Sequence, residues 1–422
     1  MRMEEWKEYK IEDTSIMLID GDRGKNYPSQ NDFSSIGHCL FLNAGNVTKN
    51  GFSFENNSFI TKEKDSLLRN GKLQRGDVVI TTRGTVGNVA FYKNGVPYEH
   101  MRINSGMLIV RGGCDLNSEY LYYYIKSQLF QNQILQMKTG SAQPQLPKST
   151  VNNMIIRYPE SLQTQQKIAS ILSSLDDKIE VNRRINDNLE QQAQALYKQW
   201  FVDFEFPNEE GNPYKSSGGK MVDSVLGQIP DGWSVGDIYA LINVVYGAPY
   251  KSSLFNEDKN GFPLIRIRDL KTFSPQYYTP EILPNTECIE AGDVVAGMDA
   301  EFVPCLWMGD KGVLNQRCCK FVGKQGSISN YYVMFLVKPE LEYVQSYKTG
   351  TTVSHLGKAD IDKFVVVQPP LSVIEEFSKI ANALLGNKVK LSKENIILST
   401  LRDALLPKLI SGELSVDDVL AD

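Results

Sequence analysis

The sequence predicts a mixed α+β fold with an internal two-fold repeat. Two similar α/β globular parts are each followed by a long helix, and the two helices pair as an antiparallel coiled coil. Three observations carry this. Landmarks recur in one order: Gly-Asp-Val-Val stands at 76–79 and at 292–295, Trp6 is answered by Trp233, Tyr120 by Tyr331, and Lys138 by Lys348. Two stretches read as unbroken amphipathic helices, and the segments before them hold short β-rich runs punctuated by Gly, Asn and Pro. The distance between partners falls from 227 residues (Trp6, Trp233) through 216 (Gly76, Gly292) to 211 (Tyr120, Tyr331). From Lys138 and Lys348 onward it stays at 210. Insertions therefore lie in the early part of each copy, as loops allow, and the late part has taken none.

In chain order, residues 1–160 form the first globular part, with runs such as "DVVIT" and "SGMLIV" as strands. Residues 161–205 form the first long helix. From Leu162 to Trp200 there are 39 residues without Pro or Gly. Ile168, Leu172, Leu175, Ile179, Leu189, Ala193, Leu196 and Trp200 follow alternating steps of three and four, the seam of a coiled coil. Asn182 and Asn186 fall on the same seam, where a buried amide fixes register. Residues 206–230, rich in Gly, Pro, Ser and Asn, are expected to be a linker. Residues 231–370 repeat the globular part, with "FPLIRI" and "KFVVV" as strands. Residues 371–411 form the second helix, with Ser372 and Glu375 expected as its capping box and Pro407 as its stop. A tail, 412–422, follows. Helices of this length span about 50–60 Å, beyond the diameter of one such globular part, so each needs a partner.

Composition narrows the function classes. At 422 residues and 41% apolar content the chain has room for two to four domains. No apolar run is long enough to span a membrane and the N-terminus lacks a signal-peptide pattern, so the cytoplasm is expected and no membrane partner. Six scattered cysteines without a CxxC, and only three histidines, predict reduced thiols and no metal site. Net charge is −5, yet residues 1–160 carry nineteen Lys/Arg against sixteen Asp/Glu, so basic patches for phosphates remain available. There is no GxxxxGK[ST], no GxGxxG after a strand and no GxSxG, so no catalytic residue is assigned. His38, His100 and His355 share no spacing and are read as structural.

What the globular parts offer is Arg, Asn and Gln beside glycines, the side chains that make bidentate contacts to base edges. "ITTRGTVGN" holds Arg83, "LNQRCCKF" holds Asn315, Gln316 and Arg317, and "LIRIRDLK" is expected to place Arg266 and Arg268 on one strand face.

With "WKEYKIEDT" and "IPDGWSVGDI" opening the copies, "GDVVITTRGTVGN", "KTGSAQPQLPKSTV" and "KTGTTVSHLGKADI" inside them, and "LYKQWFVDF" and "LRDALLPKLISGEL" closing the helices, the whole chain resembles the specificity subunits of type I restriction–modification systems. That resemblance implies two target-recognition domains, each reading one half of an asymmetric, gapped site in double-stranded DNA. The helical rod would set the gap and dock two methyltransferase subunits, with restriction subunits joining them. It implies no cofactor in this chain, since S-adenosylmethionine, ATP and magnesium would serve those partners. DNA-contacting residues are then expected at Asn46, Lys49, Arg83, Thr85, Arg102, Asn104 and Gln143 in the first domain. In the second they are expected at Arg266, Arg268, Lys271, Asn315, Gln316 and Arg317. Arg183, Arg184 and Lys393 are expected to face the methyltransferase subunits. The competing reading is a non-catalytic coiled-coil scaffold carrying two protein-binding domains.

Overall fold

A computed structural model of the chain describes residues 6–140, 144–348 and 354–419. The chain divides into two compact units, Met1–Lys178 with Leu398–Asp422, and Ile179–Ile397, so each unit owns part of both long helices.

In the first unit the central sheet is antiparallel, in the order Met17–Asp20, Met107–Arg111, Val78–Thr81, Val89–Phe91. A three-stranded sheet of Phe59–Ile60, Cys39–Leu42 and Met101–Ile103 lies in the same unit, its last two strands parallel. Trp6–Lys10 pairs with Ile155–Pro159 and so joins the two ends of the globular part. The second unit repeats this plan. Its central sheet runs Ile242–Tyr246, Cys318–Gly323, Val294–Gly297, Pro304–Leu306, again antiparallel throughout. Phe262–Ile265 and Gly312–Leu314 form the parallel pair, and Ser234–Asp237 with Val365–Gln368 joins the ends.

The repeated Gly-Asp-Val-Val has a local cause. Gly76 and Gly292 adopt φ of 92° and 101°, which favours glycine. Asp77 and Asp293 then accept the backbone N–H of Gln74 and Glu290, at 2.7 and 2.8 Å, closing the turn. The two valines that follow enter the buried middle strand of each sheet. The helices beyond differ in one informative way. The first unit has Ser118–Lys126 and Gln128–Met137, broken at Ser127, whereas the second has one helix, Asn330–Lys348, with Pro339 inside it. By the 211-residue spacing of Tyr120 and Tyr331, Pro339 corresponds to Gln128, the first residue after the break. An interior proline lacks the N–H for one helical hydrogen bond, so Pro339 weakens the ladder at the position where the first unit breaks its helix.

The long helices are Leu162–Tyr197, prolonged by a π-helical turn at Lys198–Val202, and Leu371–Ser411. They pack together and run antiparallel. In the first unit Ile168 and Leu172 share a core with Leu406, Leu409 and Ile410, and Arg402 pairs with Asp176. In the second unit Asn182 meets Glu394 and Asn395, Asn186 meets Ser392, Glu190 meets Lys388, and Ala193 and Trp200 share a core with Phe377 and Ala381. The seam is as the sequence predicts, with Asn182 and Asn186 buried in it.

Three local expectations are corrected. Ser372 is not the cap of the second helix, because the helix already begins at Leu371 and Pro370 provides the carbonyl for Val373 and Ile374. Pro407 does not end it either. Burial of Leu406, Leu409 and Ile410 holds the last turn around the exposed proline, and Gly412, at φ 75°, makes the stop. The segment 206–230 is folded rather than a loose linker. It carries a hairpin, Met221–Ser224 with Gly227–Pro230, and Phe206 stacks between Tyr214 at 4.7 Å and Trp233 at 5.0 Å. Those aromatic rings bury it in the core of the second unit. No helix among the described residues is long and apolar enough to cross a membrane.

Candidate nucleic-acid interface

Each unit builds the same backbone frame where three loops meet at the end of its middle strand. In the first unit the strand Val78–Thr81 leads into Thr82-Arg83-Gly84. The N–H groups of Thr82 and Arg83 donate to the Gly106 carbonyl at 2.8 and 3.2 Å, and the N–H of Leu146 donates to the Thr82 carbonyl at 3.0 Å. Arg83 thereby pairs with Gln145, and Gln145 pairs with Thr139. In the second unit Met298 N–H donates to the Arg317 carbonyl at 2.9 Å, and Leu356 N–H donates to the Met298 carbonyl at 2.7 Å, pairing Asp299 with His355. Position for position, Arg83 corresponds to Asp299, Gly84 to Ala300, Asn104 to Asn315, Gly106 to Arg317 and Gln145 to His355.

The glycines beneath the frame show how tightly it is held. A Cβ on Gly21 would stand 2.1 Å from the Asn104 carbonyl oxygen, and one on Gly247 would stand 2.1 Å from that of Asn315. The neighbouring strand can pass under the turn only without a side chain.

On this frame the side chains differ. Arg83 and Thr85 are exposed in the first unit, and Asn104 caps its own turn by accepting the Gly106 N–H at 2.9 Å. Lys49 is exposed at the tip of the hairpin Val47–Thr48 with Gly51–Phe52, which Asn88 ties to the Arg83 loop through the Val47 carbonyl at 2.9 Å. Lys49, Arg83, Thr85 and Asn104 are thus gathered on adjoining loops. Gln143 lies outside the described residues.

Two expected contacts are inside the protein instead. Asn46 is 2% exposed; its amide donates to the carbonyls of Ser53 and Asn56, both at 3.0 Å, and accepts the Asn43 N–H at 2.9 Å. Arg102 is 4% exposed and its guanidinium is occupied by Asp65 and by the carbonyls of Leu68 and Asn70. Neither side chain has a free edge to offer a base. Both residues hold loops in place. Burial raises the Asp65 carboxyl, but hydrogen bonds and charge from Lys72 and Arg102 outweigh it and hold its pKa below the ordinary value.

In the second unit the strand ends at Ile265, so Arg266 and Arg268 do not share a strand face. Arg266 caps the short helix Ile267–Lys271, because Asp269 accepts its N–H at 3.0 Å, and its guanidinium lies 4.4 Å over the Tyr277 ring. Arg268 and Lys271 are exposed, Lys271 pairing with Glu301 at 2.7 Å. Asn315, Gln316 and Arg317 form the turn between Gly312–Leu314 and Cys318–Gly323, closed by the Cys318 N–H on the Asn315 carbonyl at 2.9 Å. Arg317 is exposed and meets Asp299 at 3.5 Å, and His355 Nδ1 meets the other Asp299 oxygen at 2.7 Å. Asp299, His355 and Gln145 are residues the sequence reading missed. A signal existed, because Gln145 and His355 immediately precede Leu146 and Leu356, which share the constant 210-residue spacing.

On the helices Arg183, Arg184 and Lys393 are exposed, Arg184 pairing with Glu180 on its own helix. Among the described residues no cluster of three or more His, Cys, Asp or Glu is arranged to hold a metal.

Comparison with known proteins bears on this geometry. The family model described as type I restriction modification DNA specificity domain matches residues 3–191 and again 230–398. The chain is 27% identical to the type I restriction enzyme MjaIX specificity subunit of Methanocaldococcus jannaschii, over 82% of this chain and 79% of that one. It is 23% identical to the type I restriction enzyme HindI specificity subunit of Haemophilus influenzae, over 98% and 100%. Its fold is shared with the crystal structure of a type I restriction-modification system S subunit from M. genitalium, with a TM-score of 0.57, 14% identity and 97% of each chain covered.

Proposed function

The chain belongs to the family of type I restriction modification DNA specificity domains, and from that premise we propose that it selects the DNA site for a type I restriction–modification complex. Each unit reads one half of an asymmetric, gapped duplex site, and the paired helices set the gap. Those helices also dock two methyltransferase subunits, which restriction subunits join. Methylation and cleavage, with S-adenosylmethionine, ATP and magnesium, belong to those partners in this reading, and this chain supplies no catalytic residue.

The observation that carries the proposal is the duplicated loop frame with unlike side chains. Arg83 and Asp299, or Gly106 and Arg317, occupy equivalent positions on the same hydrogen-bonded backbone. A module that keeps its scaffold and changes only its exposed tips suits recognition of two different half-sites.

The test is a methylome. The chain is expressed with its neighbouring methyltransferase subunit in a host lacking both, and modified bases are mapped by single-molecule sequencing. A gapped, asymmetric motif with methyladenine in each half is expected. Soluble, co-purifying subunits that leave no motif would favour a scaffold with two protein-binding domains.

A further inference from the structure

We infer that Asp299 is a positioning residue for the second half-site: together with His355 it holds Arg317 so that the guanidinium reads a guanine. This rests on the recognition function proposed above.

The Asp299 carboxylate meets His355 Nδ1 through one oxygen at 2.7 Å and forms an ion pair with Arg317 Nε through the other at 3.5 Å. Contact through Nε leaves the two terminal nitrogens of Arg317 at the outer end of a side chain that is 55% exposed. A guanidinium with its fork free and its stem held matches the paired O6 and N7 acceptors of guanine in the major groove. Stability does not explain the arrangement, because an exposed ion pair contributes little to it. An acidic side chain at a DNA-facing loop also repels phosphate, so its presence calls for a compensating use.

The backbone adds an independent sign. Ala300, next to Asp299, has φ of 64°, where the first unit has Gly84 at 72°. The left-handed bend is kept even with a Cβ, held by the Ala300 N–H on the Ser354 carbonyl at 3.0 Å and by Gln345 on the Ala300 carbonyl at 2.9 Å. Strain of this kind persists where the surroundings over-determine a functional loop. In the first unit Gly106 and Gln145 stand where Arg317 and His355 do, and no carboxylate among the described residues pairs with Arg83, so the two readers orient their cations differently.

Complexes of the methyltransferase subunit with wild-type, R317A, D299N, D299E or H355Q chains would be compared by methylome. Wild type is expected to show a fixed guanine in one half, and R317A to lose it. D299N should still methylate but prefer guanine over adenine roughly tenfold less strongly, within the range a bidentate base contact provides. H355Q should fall between, and the other half should be unchanged in every variant. Should D299N lose both halves by misfolding, D299E decides, since it keeps the charge and displaces the carboxylate. An undiminished guanine preference in D299N or, failing that, in D299E overturns the positioning role, as does an unchanged motif in R317A. A wild-type complex that methylates no gapped motif removes the functional reading itself.

Discussion

Asn46 and Arg102 show how residue type misleads when burial is unknown. Both have the chemistry to read a base, and both instead hold loops from inside the first unit. Arg102→Ala would leave the Asp65 carboxylate buried with much of its compensation gone, so a loss of about 3–5 kcal/mol is expected in urea unfolding. The folded pKa of Asp65 lies below its ordinary 3.8. Its contribution to stability is therefore present above that ordinary value and is lost as pH falls through the lower folded value. Acid titration of unfolding should show this loss beginning below about pH 4 in wild type, and a smaller one in the Arg102 variant. Backbone strain gives a second pair of tests. Ala300→Gly should stabilise the chain by about 1 kcal/mol, and Gly84→Ala should destabilise it by about as much, because only glycine adopts positive φ freely. Equal, near-zero shifts in both would show that neither loop is strained.

Among the elements, the paired helices carry an unusual middle. Ile168 and Leu172 at one end and Ala193 and Trp200 at the other are buried apolar residues, whereas Asn182 and Asn186 are buried between them. Asn182 donates to Glu394 and Asn395 at 3.0 and 2.9 Å, which only one register permits. Replacing both asparagines by leucine should raise the unfolding temperature and loosen the register, since the amides exchange stability for specificity. Disulfide trapping between cysteines introduced on the two helices would measure this. A single cross-linked pairing in the double variant would remove that role.

For the whole molecule, the net charge of −5 limits what it does alone. Phosphate contacts supply most non-specific affinity, so isolated chain should bind duplex DNA weakly and with little site preference at physiological salt. Tight, selective gel shifts by the lone subunit would contradict this. Division of labour between the units gives a further expectation. Arg83→Ala should relax recognition in one half of the methylated motif and leave the other intact, because Arg83 and Arg317 sit on separate copies of the frame. A loss in both halves would point to a folding defect.

The sequence by itself determined the duplication, the antiparallel helix pair and its polar seam, because periodicity and the constant 210-residue spacing are local properties of the chain. It also singled out Arg83 and Asn315–Arg317, which the structure places on loops of the two frames. Only the tertiary structure decided which polar residues face outward. Asn46 and Arg102 are buried by segments between seven and 37 residues away in sequence, and Asp299 meets His355 across 56. The end of the second helix was likewise decided by packing, since buried Leu409 and Ile410 override the proline before them. Such outcomes depend on contacts between distant segments, which no local pattern encodes.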